Sequence, residues 1–218
     1  MFCTGLTSPF YYIQYPMKKI AVFCSGRGSN LEALIKNKEA GVLQADIAVV
    51  LSDNADAPAL AIAHQHGVKA VFQDPGPKKT WLIPEIEIQW VQTLKDHSVD
   101  LVCLAGFMRI IKKPLLDAFT GRILNIHPSL LPAFPGLEVQ KKALDYGVKF
   151  SGCTVHFVDD SVDSGPIITQ AAVPILDNDT PDTLAARILK EEHRIYTEAI
   201  NLVLSGKYRI EGRRVIRT

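Results

Sequence analysis

Asn125 and His127 are the two residues of this chain whose types and spacing best suit chemistry; they lie in the stretch Ile123 to Pro135, ILNIHPSLLPAFP. Ile123 to Ile126 is an apolar run of strand type interrupted by the polar Asn125. A separation of two along a strand turns Asn125 and His127 to the same side. Pro128 holds His127 out of helical angles where the strand gives out, and Pro132 and Pro135 stiffen the chain beyond it. An amide beside an imidazole on a rigid strand end can stabilise a developing oxyanion and move a proton. The alternative is a core histidine satisfied by a buried amide; the Asn-x-His-Pro pattern at a strand end favours the chemical reading.

Three other stretches carry polar groups of interest. Gly26 to Asn30 follows an apolar run and opens a helical one, the usual place for a phosphate on backbone N–H groups. The dinucleotide pattern G-x-G-x-x-G fails, since Leu31 stands at the third glycine, and no G-x-x-x-x-G-K-[ST] is present. Ser29 and Asn30 add side-chain donors that suit a phosphate monoester, although two glycines that merely make a tight turn would look the same. Gly106 to Ile110 (GFMRI) sets one arginine among apolar residues, either a slot for a flat aromatic ligand or core packing with a surface arginine. Asp159 to Pro166 (DDSVDSGP) carries three acids ahead of a Gly-Pro turn, either a solvated loop or a source of one carboxylate near His127.

The elements that must position these groups can be read from periodicity. Apolar runs at Ile20–Cys24, Ile47–Leu51, Val68–Phe72, Asp100–Ala105 and Ile123–Ile126 alternate with helical patterns: one begins near Leu31, one covers Ala57–His66, one starts at Pro84 with Ile86, Trp90, Val91 and Leu94 on a face, and a short one covers Pro114–Phe119. This predicts an α/β fold, a doubly wound and mostly parallel sheet with helices on both faces. In such a sheet ligands bind outside the carboxyl ends of the strands, where Gly26–Asn30, Gly106–Ile110 and Asn125-x-His127 all fall. The second half predicts a helix over Leu137–Tyr146, strands over Gly152–Val158 and Ile167–Val173, a long helix from a Thr180 cap to about Leu204, and a hairpin over Tyr208–Arg217. Glu192 falls on the apolar stripe of the long helix, and an inward carboxylate needs a partner.

Composition sets the outer bounds. The 218 residues, 47% hydrophobic and 22% charged, suit one domain over 17–218 with an extension over 1–16 that is expected to be disordered or loosely packed. A net charge of +1 gives no reason to expect nucleic acid or an anionic membrane as partner. Cys3, Cys24, Cys103 and Cys153 lie far apart without a C-x-x-C pair, as expected for free thiols in a cytoplasmic protein, and no His/Cys cluster suggests a metal. No apolar run reaches membrane-spanning length.

Together these stretches identify a resemblance. SGRGSNL, LAGFMRI, NIHPSLLPAFPG, VHFVDDSVDSGPII and EEHRIY, spread from about Lys18 to Leu204, are similar to the phosphoribosylglycinamide formyltransferases, folate-dependent enzymes of purine synthesis. The resemblance implies a Rossmann-like formyltransferase fold with Asn125, His127 and Asp163 as the catalytic group. It implies that Gly28, Ser29 and Asn30 hold the ribonucleotide phosphate with Glu192 near its ribose. It places Met108, Arg109, Ile110, Ile111, Asn125, Asp159, Asp160 and Asp163 around 10-formyltetrahydrofolate, the cosubstrate, and requires no metal. Family members also carry an arginine ahead of the helix before the fourth strand; this chain has none between Arg27 and Arg109 and offers Lys78 and Lys79.

The mechanism so implied is attack of the glycinamide ribonucleotide amine on the formyl carbon, with Asn125 and protonated His127 on the oxyanion. The expected protein is cytoplasmic, a monomer or homodimer. A formyltetrahydrofolate hydrolase would keep the same three residues and use water, but carries a further N-terminal domain for which this chain has no room. A methionyl-tRNA formyltransferase would need a basic face and a tRNA-binding extension. A non-enzymatic phosphosugar-binding protein would leave the centre unused.

Overall fold

A computed structural model describes residues 17–218; the expectation for residues 1–16 lies outside the described residues. In chain order the elements are β1 (Lys19–Phe23), α1 (Ser29–Glu39), β2 (Asp46–Ser52), α2 (Pro58–Gln65), β3 (Ala70–Phe72), α3 (Pro84–Asp96), β4 (Leu101–Leu104), α4 (Lys113–Ala118) and β5 (Ile123–His127). After them come α5 (Val139–Tyr146), β6 (Phe150–Phe157), β7 (Ile167–Pro174), α6 (Pro181–Ser205), β8 (Tyr208–Glu211) and β9 (Arg214–Arg217). All these strands join one sheet in the order β3-β2-β1-β4-β5-β6-β7-β9-β8. The first five strands are mutually parallel, β6 runs antiparallel to both β5 and β7, and β9 lies parallel to β7.

The apolar character of the central strands follows from burial on both faces. Ile20, Val22 and Cys24 of the β1 segment, with Leu101 and Cys103 of β4 and Leu124 of β5, face α1, α2 and α6. Ala21, Phe23, Val102, Leu104 and Ile123, the alternate residues, face Trp90 and Leu94 of α3 and Leu115 of α4. Phe23, Trp90 and Phe107 pack edge to face or tilted at 5.0–5.5 Å between ring centres. The three described cysteines, Cys24, Cys103 and Cys153, are free and buried.

Two helices are fastened to the strand ends that matter for the site. Thr180 and Thr183 form a reciprocal capping box at the start of α6. Further along α6, the buried Tyr196 hydroxyl donates to the Leu104 carbonyl at 2.9 Å and ties the helix to the end of β4. Glu87 of α3, fully buried, accepts from the Lys112 and Leu115 N–H groups at 2.5 and 3.2 Å. It caps α4 from outside and fixes the far end of the loop after β4. Burial pushes the Glu87 carboxyl above its ordinary range. The terminal hairpin is a hairpin as expected, and it also extends the sheet, with Ile167 of β7 opposite Arg214 of β9.

Candidate active site

β1, β4 and β5 lie side by side, so their carboxyl ends bring three loops to one edge. The first two are stitched together: Ser25 N–H donates to the Gly106 carbonyl at 3.1 Å, and Met108 N–H donates to Ser25 Oγ at 2.9 Å. This is the topological switch point of the sheet, where β1 separates strands added in opposite directions.

At the first loop Gly28 is the left-handed cap of α1, with φ 78°, and its carbonyl accepts the first helical bond, from Glu32 N–H at 2.8 Å. The N–H groups of Ser29, Asn30 and Leu31 precede that bond and point out of the helix end, a ready anion site. Gly28 has a second duty that the sequence did not reveal. A Cβ there would lie 2.8 Å from Cα and Cβ of Ala59, so the glycine also lets α2 approach. Asn30, buried, donates to Glu192 of α6 at 2.7 Å, while its own Oδ1 is buried without a partner among the described residues. Burial pushes the Glu192 carboxyl up, against the opposing pull of the Asn30 bond and of Arg27. The inward carboxylate thus meets the Gly26–Asn30 loop.

At the end of β5 the His127 ring is buried, with the residue 5% exposed. Its Nε2–H donates to the Phe134 carbonyl at 3.0 Å, and its Nδ1 lies 3.5 Å from Asp163 Oδ2. Both ring nitrogens therefore face oxygen atoms, the Phe134 carbonyl on one side and the Asp163 carboxylate on the other. The contact to Asp163 is longer than a good hydrogen bond, so Nδ1 is the nitrogen free to turn to a reacting atom. Asp163 itself is held by Gly136 N–H at 2.9 Å and stands in the left-handed region with φ 51°. Phe134, which supplies the carbonyl for His127, is left-handed too, φ 53°. Two non-glycine residues in this conformation beside one imidazole mark a site where backbone strain is maintained by its surroundings.

Asn125 leads to a residue that sequence reasoning missed. Its Nδ2 donates to Nε2 of His156 at 3.2 Å, and Nδ1–H of His156 donates to the Phe157 carbonyl at 2.7 Å. His156 is buried, and desolvation holds it below the ordinary histidine value despite Asp163, whose Oδ1 is 3.8 Å away. A neutral His156 with its proton on Nδ1 fixes the Asn125 amide with one N–H spent and the other free. Asn125 and His156 are direct partners in the antiparallel register of β5 and β6. That pairing was the missing signal, for His156 alone reads as one polar residue in an apolar strand.

The remaining expected residues divide. Asp159 organises its own loop, accepting from Ser161 N–H at 3.1 Å and Ser164 Oγ at 2.8 Å, while Asp160 is exposed beside Ser161. Gly165 closes that loop so tightly that a Cβ would lie 1.8 Å from the Phe157 carbonyl oxygen. Met108 and Ile110 expose their side chains at the edge, but Ile111 packs into the core with Trp90 and Leu115. The Arg109 guanidinium is occupied: Nε donates to Asp53 Oδ2 at 2.6 Å and a terminal nitrogen donates to the Lys78 carbonyl. Lys78 and Lys79 are both exposed on the segment before α3.

This geometry has counterparts. A model of the formyl transferase family matches residues 18–200. Glycinamide ribonucleotide transformylase 1 of Symbiobacterium toebii superposes with a TM-score of 0.90 at 52% identity, covering 95% of this chain and 97% of that one. Phosphoribosylglycinamide formyltransferase of Bacillus subtilis is 41% identical over 188 residues, 86% of this chain and 95% of that protein. The trifunctional purine biosynthetic protein adenosine-3 of Drosophila melanogaster is 45% identical over 192 residues, 87% of this chain but 14% of that much longer relative. The chain thus corresponds to one part of the trifunctional protein and to nearly the whole of the bacterial ones.

Proposed function

The chain belongs to the formyl transferase family, and from that membership we propose that it transfers the formyl group of 10-formyltetrahydrofolate to the free amine of glycinamide ribonucleotide in cytoplasmic purine biosynthesis. The observation that carries the reading is the group at the end of β5. An amide with one free N–H, an imidazole facing acceptors at both nitrogens and a carboxylate beside it lie on the same sheet edge as a helix N-terminus suited to phosphate.

Attack of the amine on the formyl carbon places negative charge on the formyl oxygen. The free Asn125 N–H and the His127 Nδ1–H are the donors for it, and one such donor typically lowers the barrier by ~3 kcal/mol. Asp163 balances the imidazolium while the charge is absent, and its 3.5 Å separation lets the ring swing to the oxyanion. His127, or a water held by Asp163, returns a proton to the departing nitrogen. Exposed Met108 and Ile110 offer apolar contact for a flat pterin beside this group, which fits the cosubstrate. The α1 N-terminus takes the phosphate, with Asn30 and Glu192 next to the ribose; the orphaned Asn30 Oδ1 suits a hydroxyl donor of the ligand.

Purified protein given both compounds should yield a ribonucleotide heavier by one formyl group together with tetrahydrofolate, read by mass spectrometry and by the folate absorbance change. Release of formate at the same rate with and without the ribonucleotide would instead make the protein a hydrolase and refute the proposal.

A further inference from the structure

The guanidinium of Arg109 is engaged within the protein, and its contacts run to two distant segments. Its Nε meets the carboxylate of Asp53, just past the end of β2, at 2.6 Å, with the two side chains 13% and 7% exposed. A terminal nitrogen of the same guanidinium donates to the backbone carbonyl of Lys78. Next to it Ile110 N–H donates to the Thr80 carbonyl at 2.9 Å, and Trp81 bridges Ile110 as a parallel partner. Lys78, Lys79 and Thr80 are otherwise exposed, so these contacts are what lays the segment alongside Met108–Ile110. The second Asp53 oxygen is buried without a partner, so among the described residues Arg109 provides the only side-chain donor to this buried carboxylate.

We propose that Arg109 is a positioning residue: clamped by Asp53, it straps the Lys78–Trp81 segment against the Met108–Ile110 loop and so sets the outer wall of the cosubstrate slot. The physical basis is preorganisation. A wall fixed before binding spares the ligand the ordering of an exposed segment. Asp53 does this through charge and burial, because a guanidinium held at a partly buried carboxylate keeps its remaining N–H groups aimed in one direction. The proposal rests on the assignment of Met108 and Ile110 to the cosubstrate slot.

The strap contains its own reporter, since trypsin cuts after Lys78 and Lys79. Native protein should resist cleavage there. Asp53→Asn, which keeps the size and removes the charge, should accelerate it about tenfold through local opening, as should Arg109→Gln. The double variant should be no faster than either single one, as coupled residues require. Tetrahydrofolate titrated against tryptophan fluorescence should bind about fivefold more weakly to the same variants, while ribonucleotide affinity stays within about twofold of the wild type. Unchanged cleavage at Lys78 and Lys79 in both single variants would overturn the strap. Accelerated cleavage with unchanged tetrahydrofolate affinity would overturn its link to the slot. Failure of the wild type to transfer formyl groups would refute the proposed function instead, and the cleavage rates would still decide whether the strap exists.

Discussion

Acidifying the protein through the titration of His156 reverses one hydrogen bond in the site. In the neutral state Nε2 of His156 accepts from Asn125 Nδ2 at 3.2 Å, with Nδ1–H committed to the Phe157 carbonyl at 2.7 Å. The added proton has to go on Nε2, where it faces an amide donor. Asn125 then relaxes by turning its carbonyl oxygen to His156, which points the wrong end of its remaining hydrogen-bonding capacity at the formyl oxygen of the proposed reaction. Losing one oxyanion donor costs about 10²–10³ in turnover, so the acid limb should be deep. Its position follows from sign: desolvation is the largest influence and lowers His156, His127 lowers it further, and the Phe157 bond, Asp163 and Asp159 oppose. The limb therefore lies below about pH 6.5, the unperturbed histidine value. Stability follows the same group, being full above the unfolded value and falling as pH drops below it, because the unfolded chain takes the proton first. Turnover at saturating substrates should be measured from pH 4.5 to 8 (about two units below to above that value), with circular dichroism at each pH to separate switching from unfolding. His156→Gln can offer a carbonyl to Asn125 and does not titrate, so it should retain neutral-pH activity to a useful degree and lose this limb. An unchanged acid limb in His156→Gln would refute the reasoning.

Four other substitutions have definite outcomes. Gly165→Ala places a Cβ 1.8 Å from the Phe157 carbonyl oxygen, so the Asp159–Ser164 loop must shift; turnover should fall at least about tenfold, since misplacement of about 1 Å can cost 10²-fold, with Tm also reduced. Glu192→Gln removes a carboxyl whose pKa burial raises, a charge that costs stability as pH rises through its folded value; Tm at pH 8 should rise while the ribonucleotide KM increases. Gly28→Ala should lower stability by about 1–3 kcal/mol through its left-handed φ and the 2.8 Å approach to Ala59, whereas Gly26→Ala, with nothing within 4 Å, should leave Tm near the wild-type value in thermal melts.

The parallel half of the fold was legible because both faces of its strands are covered, which leaves near-continuous apolar runs such as Ile20–Cys24 and Leu101–Cys103. Asn125 and His127 were legible because a strand period and a following proline fix their shared side without knowledge of any neighbour. The inward Glu192 was legible from helical spacing, and its partner proved to be Asn30, 162 residues away. Where the reading stopped, pairing was needed. His156 becomes the partner of Asn125 only through the β5–β6 register, and Asp53 becomes the partner of Arg109 only through the order of β2, β1 and β4 in the sheet. Ile111 was grouped with Met108–Ile110 as one stretch, yet it packs in the core while Met108 and Ile110 are exposed. Likewise the terminal hairpin showed its own turn in the sequence, but not the long-range pairing that joins it to β7.

The central claim, formyl transfer at the Asn125–His127–Asp163 group, is tested most directly by comparing wild-type protein with His127→Ala in one assay that quantifies the formylated ribonucleotide. Turnover should fall by about 10²–10⁴, the range of a positioned acid–base group, with Tm little changed and both KM values within a few-fold. Turnover close to that of the wild type, with the same product formed, would contradict it and return His127 to the role of a buried histidine held by the Phe134 carbonyl.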